Sequence, residues 1–342
     1  MSIHYQAVGW NRQKKIYDAL LALGVMVYLV MFAVLHLAFF PNATLETILL
    51  RGFGSSAFLL LHVILSIGPL CRLDARFLPL LYNRRHMGVT MFCLALGHAS
   101  IAILQYHAFG DLNPLVSIFL SNDGFESVSQ FPFQPLGLFA LIVLFLMAAT
   151  SHDFWLANLG APVWKALHML VYLAYGLLVA HVALGIMQAD TSPIVAGSVA
   201  GGFIWVVGLH ILAAWKERGL DLADAAGPEF VDVCAVADIP LDRARIFTLS
   251  GERVAVFRYG QKISAISNVC QHQNGPLGEG KVVDGCVTCP WHGYQYRPDD
   301  GCSPPPFSEK VPTFHVKVAH GRVLVNPVPN PAGTKVVPAQ VP

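Results

Sequence analysis

Cys270-Gln271-His272 and, sixteen residues further on, Cys289-Pro290-Trp291-His292-Gly293 decide how this chain is read. Each stretch offers one thiol and one imidazole, close enough in sequence for a single loop to present both to neighbouring metal atoms. A Cys2His2 set also suits Zn²⁺. The Cys-Pro-x-His-Gly context and the strand-rich surroundings are not those of a zinc finger. Short β-type runs flank the two loops: Phe230 to Ala235, Arg245 to Thr248, Arg253 to Tyr259, Lys262 to Ser267, Gly285 to Thr288, Thr313 to Val318 and Arg322 to Val325. Turn signals such as Ser250-Gly251, Tyr259-Gly260 and His320-Gly321 separate them. Many short strands with regular turns predict a small β-sandwich or barrel.

Over residues 229–327 this pattern resembles the Rieske family. In a Rieske [2Fe–2S] cluster one iron takes two thiolates and the other two imidazoles. The resemblance makes Cys270, His272, Cys289 and His292 the cluster ligands. Gly301 and Pro304-Pro305-Pro306 match the proline loop that covers the cluster in that family. Cytochrome-complex members carry an extra disulfide across the two loops, and the corresponding positions here are Gly275 and Trp291. Tyr294 stands where those members place a potential-raising serine, while Tyr296 matches their tyrosine. The resemblance therefore implies a ferredoxin-type or oxygenase-associated centre, with a potential at or below roughly −100 mV. Cys286 makes a Cys-x-x-Cys with Cys289 and is read as an incidental thiol.

Upstream the composition changes. Hydrophobic residues make up 55% of the 342-residue chain and charged residues 13%, against roughly 25% charge in a soluble protein. The deficit falls in residues 16–215. A spanning helix needs about 20 mainly apolar residues, and six stretches approach that: 16–40, 52–70, 87–106, 135–150, 164–186 and 196–214, the fourth being short. The first is too long for a signal-peptide core and has no cleavage site after it, so it is read as a retained span. Residues 113–121 are too short to cross and are placed at the outer interface. A net charge of +1 gives no reason to expect a nucleic-acid partner. An odd cysteine count, seven, does not read as a disulfide framework.

Lys and Arg concentrate on one side of these spans. That side holds Arg12, Lys14, Lys15, Arg72, Arg76, Arg84, Arg85, Lys165, Lys216 and Arg218; the other holds only Arg51. Both termini are thus expected in the cytoplasm, and the protein in the cell inner membrane, in contact with membrane lipid.

Histidines inside a bilayer are costly and usually functional. His86 begins the third span and His98 follows twelve residues on; His168 begins the fifth and His181 follows thirteen residues on. At 1.5 Å per residue these steps are roughly 18 and 20 Å. Because the two spans run in the same direction, His86 shares an inner depth with His168, and His98 an outer depth with His181. Two levels with two imidazoles each are what two stacked b-type haems require. Steps of 12 and 13 do not return to one helix face, so a tilt or distortion must supply the rest. His62 is the next candidate ligand. His36 and His210 are assigned to packing or hydrogen bonding, and His107 to the outer surface.

Arg84-Arg85-His86-Met87-Gly88, His98, Leu159-Gly160-Ala161, Trp164, Leu167-His168, Val171-Tyr172-Leu173 and His181 resemble the ferric-reductase-like transmembrane family. The likeness covers roughly residues 15–215, and is greatest to the haem-binding membrane subunit of the bacterial methionine sulfoxide reductase system. It implies b-type haem, one or two per chain, with His98, His168 and His181 at matching ligand positions. His86 departs from that relative, which is usually apolar there.

The expected architecture is an all-α six-helix transmembrane bundle (1–215), a linker (216–228), a small all-β Rieske domain (229–330) and a flexible tail (331–342). No dinucleotide-binding or flavin module follows the spans, and no second iron site of the oxygenase kind follows Pro306. The resemblances imply electron transfer from a cytoplasmic donor, a reductase or quinol, through the cluster and haem to an extracytoplasmic acceptor. The alternatives are a membrane-tethered Rieske ferredoxin serving a cytoplasmic oxygenase, and a quinone-linked oxidoreductase.

Overall fold

The computed structural model describes residues 12–341, except 82, 129, 153–154, 156–157, 160, 190–192, 223–228, 273, 292 and 306. They fall into two compact units, one of residues 12–68 and 83–210, the other of residues 69–82 and 211–341.

The first unit is helical. Its elements among the described residues include α1 (Arg12–Phe39), α2 (Leu45–Leu73), α3 (Arg84–Tyr106), α4 (Pro114–Leu120), α5 (Gln134–Ala149), α6 (Ala161–Met169), α7 (Val171–Ala189) and α8 (Pro193–Leu222), with α2 and α8 continuing into the second unit. Helix is the only open structure that satisfies its own backbone in lipid, and these apolar stretches take it. Five helical segments are long and apolar enough to cross a membrane: Lys14–Phe39, Leu45–Leu73, Arg84–Tyr106, Val163–Gly185 and Val195–Gly219. The chain is a multi-pass membrane protein. The fourth expected span is the shorter apolar helix α5, of 16 residues. That is about 24 Å of helix against a hydrocarbon core of about 30 Å, so five helices rather than six meet the length.

Leu61, Met91, Leu144, Ala174 and Tyr175 of α2, α3, α5 and α7 form the buried centre of this unit. The fifth expected span is two helices, broken at Leu170, whose N–H bonds the carbonyl of Leu167 at 3.1 Å. The helix is therefore interrupted between His168 and His181. Asn113 caps α4, its side chain accepting from the Leu115 N–H at 2.9 Å, with Pro114 in the first turn.

The second unit is mainly β. β1 (Val231–Ala235), β10 (Arg322–Val325) and β9 (Val316–Ala319) form one sheet. β11 (Ala339–Gln340), β4 (Lys262–Ser267), β3 (Glu252–Tyr259) and β2 (Arg243–Leu249) form a second, with β8 (Thr313–Phe314) also on β4. β5 (Lys281–Val283), β6 (Cys286–Thr288) and β7 (Gln295–Tyr296) form a third. Val254, Val256, Ile263, Phe314, Val323 and Val325 are buried between strands of the first two.

Two boundaries differ from expectation. The first residues of the linker are helical, because α8 runs to Leu222 through Lys216-Glu217-Arg218, residues that favour helix; residues 223–228 lie outside the described set. The expected flexible tail is tied down. Ala339 pairs with Ile263, the Val341 N–H bonds Gln261, and the Thr313 hydroxyl donates to the Thr334 carbonyl. The edge of β4 offers unpaired backbone groups, and the tail satisfies them.

Candidate functional site

Each cysteine–histidine loop closes on its own backbone. After β4, the Cys270 N–H bonds the Gly275 carbonyl at 2.9 Å, and Asn274 returns to Cys270 in a left-handed conformation, φ 56°. After β6, the Cys289 N–H bonds the Tyr294 carbonyl at 2.7 Å, and Gly293 returns to Cys289 with φ 72°. A side chain at Gly275 would sit 2.7 Å from Cys289 Sγ and 3.1 Å from the Trp291 ring. The two loops are therefore in close contact at Gly275, where the Trp291 ring and Cys289 Sγ fill the space a side chain would take.

Cys270 and Cys289 are fully buried and His272 nearly so. The Tyr296 hydroxyl lies 3.5 Å from Cys270 Sγ and accepts from the Gln271 N–H at 3.0 Å. Burial pushes both Tyr294 and Tyr296 well above the usual phenol range, so each keeps its proton to donate. Burial also pushes the Cys270 thiol up, but Cys289, Tyr296 and the His272 backbone together bring it below its ordinary value. The site thus favours thiolate, the form that binds iron.

Tyr294 stacks on His272 and donates its hydroxyl to Glu309. Phe307 also packs against Tyr294, with centroids 4.9 Å apart. Gly301, at φ 65°, precedes Pro304-Pro305; a side chain there would meet the Val311 carbonyl at 2.3 Å. His292 lies outside the described residues. Among the described residues no three metal-binding side chains converge on one point. A dinuclear cluster does not need such a convergence, because it divides its four ligands between two irons.

In the helical unit the structure brings His98 and His181 together, with ring centroids 6.3 Å apart and planes at 83°. Two metal–imidazole bonds of about 2 Å each place ring centres roughly 6 Å apart. Each Nδ1–H donates to a backbone carbonyl at 2.9 Å, His98 to Leu50 and His181 to Phe133. This fixes the tautomer and leaves Nε2 with the lone pair, as in metal-bound histidines. The pair fits a haem iron held between the two rings.

His168 donates Nδ1–H to the Trp164 carbonyl at 2.9 Å and stacks on the Trp164 ring, centroids 3.7 Å apart. Its buried Nε2 has no hydrogen-bond partner among the described residues, which fits a ligand awaiting a metal. His86 donates Nδ1–H to Asp18 of α1 at 2.8 Å and is half-exposed. No ring contact joins His86 to His168 among the described residues.

His62 has both nitrogens occupied, by the Phe58 carbonyl and the Tyr175 hydroxyl at 2.8 and 3.1 Å, which removes it as the next candidate. His210 bonds Val206 and Tyr172, as assigned. His107 is buried rather than at the surface, because its Nδ1 reaches Ser117 of α4 at 2.8 Å. The sequence reading missed Asp18 and the carbonyls that orient the rings, and it named Trp164 only as part of the family pattern, without its contact to His168. Backbone carbonyls have no residue signature, and Asp18 is read as one more charge near a terminus until α1 meets α3.

A multi-pass helical unit with paired imidazoles, joined to a small β domain with two cysteine–histidine loops, defines a membrane-bound iron–sulfur electron-transfer protein. The family model of the ferric reductase like transmembrane component matches residues 51–179, and that of the Rieske [2Fe-2S] domain matches residues 229–315. The protein-methionine-sulfoxide reductase heme-binding subunit MsrQ of Caulobacter vibrioides is 30% identical over 170 residues, 50% of this chain and 73% of that one. The alkene monooxygenase system ferredoxin component of Xanthobacter autotrophicus is 32% identical over 104 residues, 30% of this chain and 85% of that one. Cholesterol 7-desaturase nvd of Xenopus laevis is 44% identical over 70 residues, but the chain spans only 15% of its length. The chain belongs to the ferric-reductase-like transmembrane family, with a Rieske [2Fe-2S] domain in the same polypeptide.

Proposed function

We propose that this protein carries electrons across the cell inner membrane, from a cytoplasmic donor, a reductase or quinol, to an extracytoplasmic acceptor. The Rieske [2Fe–2S] cluster sits on Cys270, His272, Cys289 and His292. One b-type haem sits between His98 and His181, and a second on His168 with His86. The observation that carries this reading is the adjacent pair His98 and His181, each locked through Nδ1, with ring centroids 6.3 Å apart. The bound groups supply one-electron redox chemistry. The chain's own residues hold them, fix imidazole tautomers and exclude water.

The transmembrane domain ends near residue 215 and the Rieske domain runs from 229 to 330. α5 serves as the sixth span. Its first turn touches His181 through Phe133 and Gly137, and its end at Thr150 accepts from the Trp164 indole beside His168. It therefore covers the distance between both histidine levels. Six spans put both termini in the cytoplasm, on the side rich in Lys and Arg.

Purification with iron and haem analysis and a redox titration tests the scheme. Two non-haem irons and at least one b-type haem per chain are expected. A haem-free protein with a normal cluster would instead favour a membrane-tethered ferredoxin serving an oxygenase, which the likeness to the alkene monooxygenase ferredoxin component supports.

A further inference from the structure

α2–α3 and α5–α7 present the same arrangement twice. The same offset in sequence separates Leu50 from Phe133, Gly54 from Gly137 and His98 from His181. In each copy the histidine reaches back 48 residues to a carbonyl, and packs on the glycine one turn after that carbonyl. The buried pairs Ala57 and Ala140, Leu61 and Leu144, and Met91 and Ala174 keep the same offset. The sequences agree as well: His98-Ala99-Ser100-Ile101-Ala102-Ile103-Leu104-Gln105 parallels His181-Val182-Ala183-Leu184-Gly185-Ile186-Met187-Gln188. Upstream, His86-Met87 parallels His168-Met169, and the one additional residue of the second copy falls in the stretch broken at Leu170.

The glycines are where the ring position is decided. A Cβ at Gly54 would lie 2.7 Å from His98 Nδ1 and 3.0 Å from Cε1. A Cβ at Gly137 would lie 2.8 Å from both His181 Nδ1 and Cε1. Real Cβ atoms do not approach so closely, so any larger residue would push the imidazole off its carbonyl. Glycine in a helix interior is otherwise unfavourable relative to alanine, so Gly54, inside α2, gives up helix stability. By contrast, a Cβ at Gly24 or Gly88 meets nothing within 4 Å.

We propose that Gly54 and Gly137 are positioning residues. They form a duplicated carbonyl–glycine notch that seats His98 and His181 and holds their ring planes nearly perpendicular. The proposal rests on the reading of these histidines as ligands of one haem. A ferric iron between perpendicular imidazoles has nearly degenerate dπ orbitals and gives a strongly anisotropic low-spin EPR signal. Parallel imidazoles give a rhombic one.

The test uses the detergent-solubilised full chain, with haem content, ferric EPR and far-ultraviolet circular dichroism measured together. Wild type should show the strongly anisotropic signal. Gly54→Ala and Gly137→Ala should each convert it to a rhombic signal or lose about one haem per chain, with helix content retained. Gly88→Ala should change neither. An unchanged anisotropic signal in both notch variants would overturn the proposal. So would loss of helix content along with haem, because the methyl group would then act on the fold and not on the ring. Failure of the underlying reading looks different: the anisotropic signal would be absent from wild type, or would keep its full amplitude in His98→Ala and His181→Ala.

Discussion

The ring of Tyr294 lies parallel to the imidazole of His272, with centroids 4.9 Å and planes 8° apart. Tyr294 is therefore one wall around His272, the proposed cluster ligand, and is anchored at its far end by Glu309. Tyr294→Phe keeps the wall and should retain the cluster. Tyr294→Ala leaves a cavity worth about 3–5 kcal/mol and should shed iron during purification. Equal iron content in the two variants would contradict this role.

Tyr296 acts on the sulfur side. Its hydroxyl is the side-chain donor beside Cys270 Sγ, and hydrogen bonds to cluster sulfurs help set the potential. A donor stabilises the more negative, reduced cluster, so Tyr296→Phe should lower the midpoint potential. About 1 kcal/mol for one hydrogen bond corresponds to roughly 40 mV for a one-electron couple. An EPR-monitored titration reads it, and an unchanged or raised potential would refute the assignment.

Haem number turns on His86. With its Nδ1–H given to Asp18, its Nε2 is the nitrogen available for ligation. His86→Ala should reduce haem from two per chain to one, and His168→Ala should do the same, with the cluster EPR signal unaffected in both. Wild-type haem content and spectrum in His86→Ala would place another ligand opposite His168.

Topology depends on α5. A reporter fused after Pro342 should behave as cytoplasmic, and one inserted between residues 121 and 130 as external. A reporter after Pro342 reading external would mean that α5 does not cross, and would reverse the proposed direction of the scheme.

Glu279 gives a pH dependence. Burial, and next the Glu217 carboxylate, push it up to about 7, against Arg72, Arg253 and Lys216. The folded state therefore holds this proton more tightly than the unfolded chain. Stability falls as pH rises from about 4.5, the unfolded value, through about 7, and the cost is complete above that. Glu279→Gln removes it. The variant should exceed wild type by about 1–2 kcal/mol at pH 8, with the gain shrinking toward pH 5. Thermal unfolding followed by the cluster's visible circular dichroism measures this, and a gain independent of pH would exclude Glu279 as its source.

Much of this protein is legible in the order of its residues. Apolar runs near 20 residues must become helices in lipid, because no other open structure satisfies its own backbone there. Alternating strands and turns locate the β domain, and the Cys-x-His and Cys-x2-His loops identify its metal chemistry, because ligand type and spacing are local properties. His98 and His181 could be placed at one depth by counting 1.5 Å per residue.

What tertiary structure decided is everything that depends on which faces meet. Counting cannot say that two rings lie 6.3 Å apart at 83°, because rotation about each helix is set by packing. Nor can it say that Tyr175 occupies His62 Nε2 or that Asp18 binds His86 through Nδ1, since those partners are distant in sequence. The tail from Pro331 reads as loose until β4 offers it an edge. Gly54 and Gly137 look like two among many glycines until the histidine of a neighbouring helix occupies the space their side chains would fill. Sequence specifies the groups and their spacing along each helix; only packing fixes the angles and close approaches between helices.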